Sequence, residues 1–396
     1  MELSEKVSAV LRRAVDEGLV AGANVLVEKD GRELCYCQEG MADREKGRPM
    51  SRDTIFRLYS QTKPVTAVAA MILMERGLLD LCQPVSDYLP SFRGQKVWRN
   101  KTAEPLAAGE REMLVQDLLR MTSGLVYEDN ETEPGRRVGA VFAELERRME
   151  TDRPMTTRQV ADALAACPLA FAPGTSWRYG TSADVLGAVI EVASGMSFAE
   201  FLRQELFVPL RMEDTAFWVP REKQGRLAAV YETVKEADGS SRVKRYEEDH
   251  LGINRMMDRE PAYAAGGAGL ASTLDDYMRF ARMLLQGGSL DGARILQKRT
   301  VEFLTGAELM PCQQQSFYSW IGLDGYSYGN LMRVCKRPGQ AGFLTGEGEY
   351  GWDGWLGAYF ANFPRENMTI LMGMQKKDAG TFSLTRKLRN TILQMV

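Results

Sequence analysis

The segment Tyr59-Ser60-Gln61-Thr62-Lys63-Pro64-Val65-Thr66-Ala67-Val68-Ala69-Ala70-Met71 (YSQTKPVTAVAAM) opens an apolar run that reads as a buried helix to about Arg76, stopped at Gly77. Residues three apart share a helix face, so Ser60 and Lys63 can meet. Burying an amine is costly unless it is paired or neutral. Two readings compete. In one, a capped helix carries a snorkelling lysine. In the other, the serine is a nucleophile and the lysine its base. At a helix N-terminus the backbone N–H groups and the dipole favour negative charge, which suits an oxyanion forming at Ser60. The same field, with desolvation, favours a neutral lysine able to take the serine proton. Pro64 lacks an N–H, which a helix tolerates only near its start, so Ser60 belongs close to the N-terminus.

The remaining chemistry is constrained by a single histidine, His250, in the polar stretch KRYEEDHLGINR. A Ser-His-Asp hydrolase or a histidine-rich metal site would have to be built on it. Its setting reads instead as a surface loop. Six cysteines lie scattered with no C-x-x-C pair, so free thiols are expected rather than disulfides or a zinc site. Cys35 and Cys37 share one face of an expected strand.

The net charge of −3 is mixed along the chain, which argues against a nucleic-acid footprint or a basic membrane-binding face. No apolar run reaches the length of a membrane span. The N-terminal MELSEKVSAVLRRAVDEG reads as an amphipathic helix with Leu3, Val7, Val10, Leu11 and Ala14 on one side, not as a signal peptide. A cytoplasmic protein is the expectation.

Ala23–Glu28 and Glu33–Gln38 flank Asp30-Gly31 and predict a hairpin. Helices are predicted over Ser182–Ser194 and Thr273–Leu285, with a capping box at Ser197–Glu200 opening another. Strands are predicted over Leu356–Phe363 and Met368–Gln375, and a last helix over Ser383–Met395. Two polar stretches, Arg93–Glu112 and Arg221–Arg259, are long enough for flaps or small β excursions. The expected fold is α/β (α+β): one unit over 1–396, with an α/β region from about 1–80 and 265–396 and a helical region from about 81–264.

Two further segments carry chemistry-bearing residues. Trp177-Arg178-Tyr179-Gly180-Thr181-Ser182-Ala183-Asp184 follows Pro173-Gly174 and opens a helix, so Tyr179 can aim its hydroxyl into a cleft or pack under a loop. Glu349-Tyr350-Gly351-Trp352-Asp353-Gly354-Trp355-Leu356-Gly357-Ala358-Tyr359-Phe360 is an aromatic strand interrupted by glycines, a pattern that often marks close approach of a ligand or another backbone.

In this order the three segments resemble the serine β-lactamase and penicillin-binding protein superfamily, most of all the class C β-lactamase branch and the family VIII carboxylesterases. SQTKPVTAVAAM is similar to their S-x-x-K helix, WRYGTSADVLGAVIEVASG to the segment carrying their catalytic tyrosine, and YGWDGWLGAYFANFP to the strand where the β-lactamases carry K-T-G and the esterases W-G-G or H-x-G. LLRMTSGL at 118–125 and GGAGLASTLDDYMRFARMLLQGG at 266–288 agree. The resemblance implies an antiparallel sheet flanked by helices. It implies Ser60 as nucleophile, Lys63 as base partner and Tyr179 as second proton-handling group. It also implies an oxyanion hole from the N–H groups of Ser60 and Trp355. No metal or organic cofactor is implied. The chemistry would be acyl transfer through an acyl-enzyme on a small ester or amide substrate.

The departures bear on substrate. The K-T-G position reads Trp352-Asp353-Gly354, so its lysine is gone, and Asp353, if it faces the cleft, would repel a β-lactam carboxylate. Thr181 stands where a β-lactamase has asparagine. Trp352, Trp355 and Tyr127 suggest an apolar acyl pocket. These features favour a carboxylesterase on small esters. Alternatives are a weak β-lactamase, a D-amino-acid peptidase or amidase, an acyltransferase, and a non-catalytic binding member of the family. Gly325-Tyr326-Ser327-Tyr328-Gly329 matches G-x-S-x-G, but the sequence after it reads as strand and no histidine follows, so Ser327 is set aside. Gly346-Glu347-Gly348-Glu349-Tyr350-Gly351 matches a dinucleotide pattern, but its glutamates would repel phosphate.

Overall fold

A computed structural model describes residues 2–236, 241–319, 323–380 and 383–396. Its centre is an eight-stranded antiparallel sheet. The strands are β1 (Gly22–Lys29), β2 (Arg32–Asp43), β3 (Arg48–Pro49), β4 (Tyr326–Gly329), β5 (Met332–Cys335), β6 (Tyr350–Asp353), β7 (Tyr359–Phe363) and β8 (Met368–Met374). Their spatial order is β4-β5-β6-β7-β8-β1-β2-β3. The two ends of the chain therefore meet in the middle of the sheet, where Val25 lies opposite Met372. The β1–β2 hairpin turns at Asp30 and Gly31, both in the left-handed region that such a tight turn requires.

Strand alternation separates two cores. Val25, Val27, Ile370, Met372, Tyr359 and Ala361 face one side. There the helices α1 (Leu3–Asp16) and α5 (Ser383–Leu393) cover them with Val7, Leu11, Leu384 and Leu388. Leu26, Leu371 and Phe360 face the other side, toward α2 (Lys63–Glu75), α3 (Ser182–Ser194) and α4 (Leu274–Leu285). Helix α2 is buried without a break from Lys63 to Leu73, so its apolar sequence is not amphipathic.

The two polar stretches each contain a small hairpin, Lys96–Arg99 with Thr102–Pro105 and Tyr231–Lys235 with Ser241–Arg245. Residues 237–240 of the second lie outside the described residues. The strand predicted from Leu356 begins only at Tyr359. Gly354 N–H donates to Ala358 at 2.6 Å and Gly357 N–H to Gly354 at 2.9 Å, so residues 354–357 form a tight turn between β6 and β7. Among the described residues, no single helix is long and apolar enough to cross a membrane.

Candidate active site

Ser60 lies in a 3-10 turn, Tyr59–Thr62, directly ahead of α2, with Pro64 as the second helical residue. Tyr59 holds a φ of +44°, a left-handed conformation costly for a bulky residue. Its ring is clamped by Trp355 at 4.9 Å and His250 at 5.9 Å, contacts that hold the strained turn.

One helical turn on, Lys63 is fully buried. Its Nζ lies 3.1 Å from Ser60 Oγ, 3.0 Å from the Tyr127 hydroxyl and 2.8 Å from the Gly267 carbonyl. Burial lowers its pKa to about 7, against the opposing pull of Asp184. A carbonyl can only accept, so Gly267 fixes one N–H. With Tyr127 taking a second, the lone pair of the neutral amine is left for the Ser60 hydroxyl.

The carbonyl is itself held. Asp184, in the first turn of α3, accepts the Gly267 N–H at 2.9 Å and the Tyr263 hydroxyl at 2.8 Å. A Cβ on Gly267 would lie 2.7 Å from Asp184 Oδ2, so a side chain there would break this contact. Burial raises the Asp184 pKa, and Lys63 pulls the other way.

Tyr179 enters from the segment ahead of α3. Gly180 passes so close to residues 125 and 126 that a Cβ would meet the Leu125 carbonyl at 2.3 Å. The Trp352 indole donates to the Tyr179 hydroxyl at 2.8 Å, and Lys63 Nζ lies 4.6 Å from the centre of the tyrosine ring. Burial pushes the Tyr179 pKa up, while hydrogen bonds from Ser60 and Trp352 act in the opposite direction.

These groups open onto a cavity of about 370 Å³ lined by Ser60, Tyr127, Tyr179, His250, Trp352 and Trp355, among others. Asp353 and Gly354 line it as well. Gly354 is required by packing: a Cβ there would fall 2.1 Å from the Leu58 carbonyl, on the chain leading into Ser60. The turn carrying Trp355 is thereby seated against the Ser60 turn.

Three expectations are corrected. His250 is not a surface loop residue: it is half-buried on the cavity wall, its ring 4.1 Å from that of Trp355. A polar neighbourhood in sequence concealed a folded-back turn in which His250 pairs with Ile253. Burial lowers its pKa. Thr181, expected to contact substrate, is fully buried and does not line the cavity, because it packs inward at the start of α3. Asp353 does face the cavity, but not as a bare charge: Arg333 NH1 donates to it at 2.6 Å. Ser327, set aside above, is buried on β4 and donates to Gln314 at 2.7 Å.

Arg333, Asp184 and Tyr263 did not stand out in the sequence. Asp184 could have been suspected as an acid within an otherwise apolar helix. Arg333 belongs to a buried network in which Glu349 also meets Arg389 at 2.7 Å. Burial works to raise the Glu349 pKa, but the two arginines outweigh it and hold the carboxyl down to about 2.

The Beta-lactamase family matches residues 7–391. The chain is 33% identical over 365 residues to Esterase EstB of Burkholderia gladioli, covering 90% of this chain and 86% of that protein. Its fold is similar to that of EstCE1, described as a hydrolase with promiscuous acyltransferase activity (TM-score 0.80, 25% identity, 98% of each chain). It also overlays the simvastatin synthase LovD of Aspergillus terreus with a TM-score of 0.79 at 21% identity, over 100% of this chain and 99% of that one.

Proposed function

The chain belongs to the beta-lactamase family and is a serine hydrolase of that fold, and we propose that it acts as a carboxylesterase through an acyl-enzyme at Ser60. One observation carries this reading: Lys63, its pKa lowered to about 7, is held between Ser60, Tyr127 and Gly267. Neutral Lys63 takes the Ser60 proton as Oγ attacks the ester carbonyl. The N–H groups of Ser60 and Trp355 receive the oxyanion. Tyr179, hydrogen-bonded by Trp352, relays a proton to the leaving alkoxide. Water then attacks the acyl-enzyme, with the same groups working in reverse.

The substrate we assign is a small neutral ester. Aromatic walls from Trp352 and Trp355 suit an apolar acyl group, and the one arginine among the described lining residues is already paired. Release of the acyl group to an alcohol in place of water is a second reading, supported by the similarity to EstCE1.

The test is turnover of short 4-nitrophenyl esters and of a chromogenic cephalosporin by wild type, Ser60→Ala and Ser327→Ala. Ester turnover that is lost only in Ser60→Ala and exceeds cephalosporin turnover supports the reading. Activity that survives Ser60→Ala refutes it.

A further inference from the structure

Among the described cavity-lining residues, Arg333 is the one fixed cation. An arginine at the edge of a substrate cavity is a natural carboxylate receptor, because its planar fork matches the two oxygens. Here the receptor is filled from within. Its NH1 donates to Asp353 at 2.6 Å, its NH2 to the Phe360 carbonyl at 3.1 Å and its Nε to Glu349 at 3.3 Å. Side-chain exposure is 15% for Asp353, 3% for Arg333 and zero for Glu349. Asp353 is therefore the partner that lines the cavity together with the guanidinium, while Glu349 and Phe360 grip it from outside the cavity wall.

The charge balance points the same way. Arg333 and Arg389 are matched by Glu349 and Asp353, so the buried group is neutral as a whole. Removing the charge of Asp353 alone leaves one net positive charge on that buried group, beside a cavity that Glu128 and Asp378 also line. Arg333 would keep two anchors and so its place.

We propose that Asp353 is a specificity-determining residue that acts as an internal carboxylate, occupying Arg333 and thereby excluding substrates that carry a carboxylate of their own. The exclusion works through occupancy of the receptor and not through a bare repulsive charge. It follows that the same pocket becomes a carboxylate-binding site once Asp353 is neutralised. The inference rests on the hydrolase reading for its effect on turnover, but its binding component stands apart from catalysis.

Two measurements separate these. The first is calorimetric titration of benzoate and, as neutral control, benzamide into wild type, Asp353→Asn and Asp353→Ser. A freed charge-assisted hydrogen bond is expected to tighten benzoate binding by about tenfold or more in the variants, with benzamide unchanged. Equal benzoate affinity in wild type and in folded variants overturns the proposal. If neither variant folds, wild type and Glu128→Gln decide: benzoate bound as tightly as benzamide overturns the proposal, and benzoate bound much more weakly in both proteins supports it.

The second measurement compares matched esters, 4-nitrophenyl butyrate with 4-nitrophenyl hydrogen succinate and 3-acetoxybenzamide with 3-acetoxybenzoate. These place the carboxylate in the acyl half or the leaving half. The variants should gain on a carboxylate ester relative to its neutral partner, chiefly through KM. An unchanged ratio in both pairs, with neutral turnover retained, overturns the proposal. Failure of wild type to turn over either neutral ester counts against the hydrolase reading instead, and the titration still decides the role of Asp353.

Discussion

Lys63 Nζ lies 3.1 Å from Ser60 Oγ, with the whole lysine side chain removed from solvent. The Asp184 carboxylate pulls the lysine pKa upward against burial, which brings it to about 7. With the neutral amine as the proposed base, kcat/KM for a neutral ester should rise with pH through about 7 and level off above it. Asp184→Asn removes the charge that favours the ammonium, so this acid limb should move to lower pH. A pH–rate profile of both proteins checks the direction, and an upward shift would contradict it.

Lys63 should also cost the protein stability. Between about pH 7 and 10.5 the unfolded chain holds a proton on this amine that the native chain has released, so native stability rises with pH across that window. Below it both states are protonated and the full penalty remains. Lys63→Met should therefore abolish turnover yet stabilise the protein at pH 7, on the order of 2 kcal/mol after the lost hydrogen bonds are discounted. The gain should shrink toward pH 10. Urea unfolding at the two pH values measures it.

Gly354→Ala would force a methyl group to within 2.1 Å of the Leu58 carbonyl. The turn bearing Trp355 must then shift away from Ser60. Displacing an oxyanion donor, the role proposed for the Trp355 N–H, costs roughly 100-fold or more in kcat. The expected outcome is that loss with a cooperative thermal transition retained, read by steady-state kinetics beside a melting curve.

His250 is on the cavity wall but packs against Trp355 with the rings tilted by 33°, and Lys63, not His250, is the proposed base beside Ser60. His250→Gln should lower kcat/KM by less than about tenfold, whereas loss of a general base typically costs 100-fold or more. A drop of the larger size would move the proton chemistry to His250.

Much of this arrangement was legible in the chain. The apolar strands Ala23–Glu28 and Met368–Gln375, the Asp30-Gly31 turn and the run after Ser60 each carry a local pattern that tertiary packing did not overrule. Ser60 and Lys63 were readable as a pair because one helical turn joins them. What connects Lys63 to Gly267, Gly267 to Asp184 and Asp353 to Arg333 is contact between segments distant in sequence. Spacing carries no signal for such contacts. His250 was misplaced because polarity in sequence does not say which way a turn folds back, and Thr181 because a motif position carries no guarantee that a different residue there points into the cavity.

The most direct test of the account is intact mass and peptide mapping after treatment with a fluorophosphonate, on wild type, Ser60→Ala and Ser327→Ala. The account predicts one phosphonyl adduct on wild type and on Ser327→Ala, mapped to the peptide containing Ser60, and none on Ser60→Ala. An adduct that persists in Ser60→Ala, or that maps to any other residue, would contradict it.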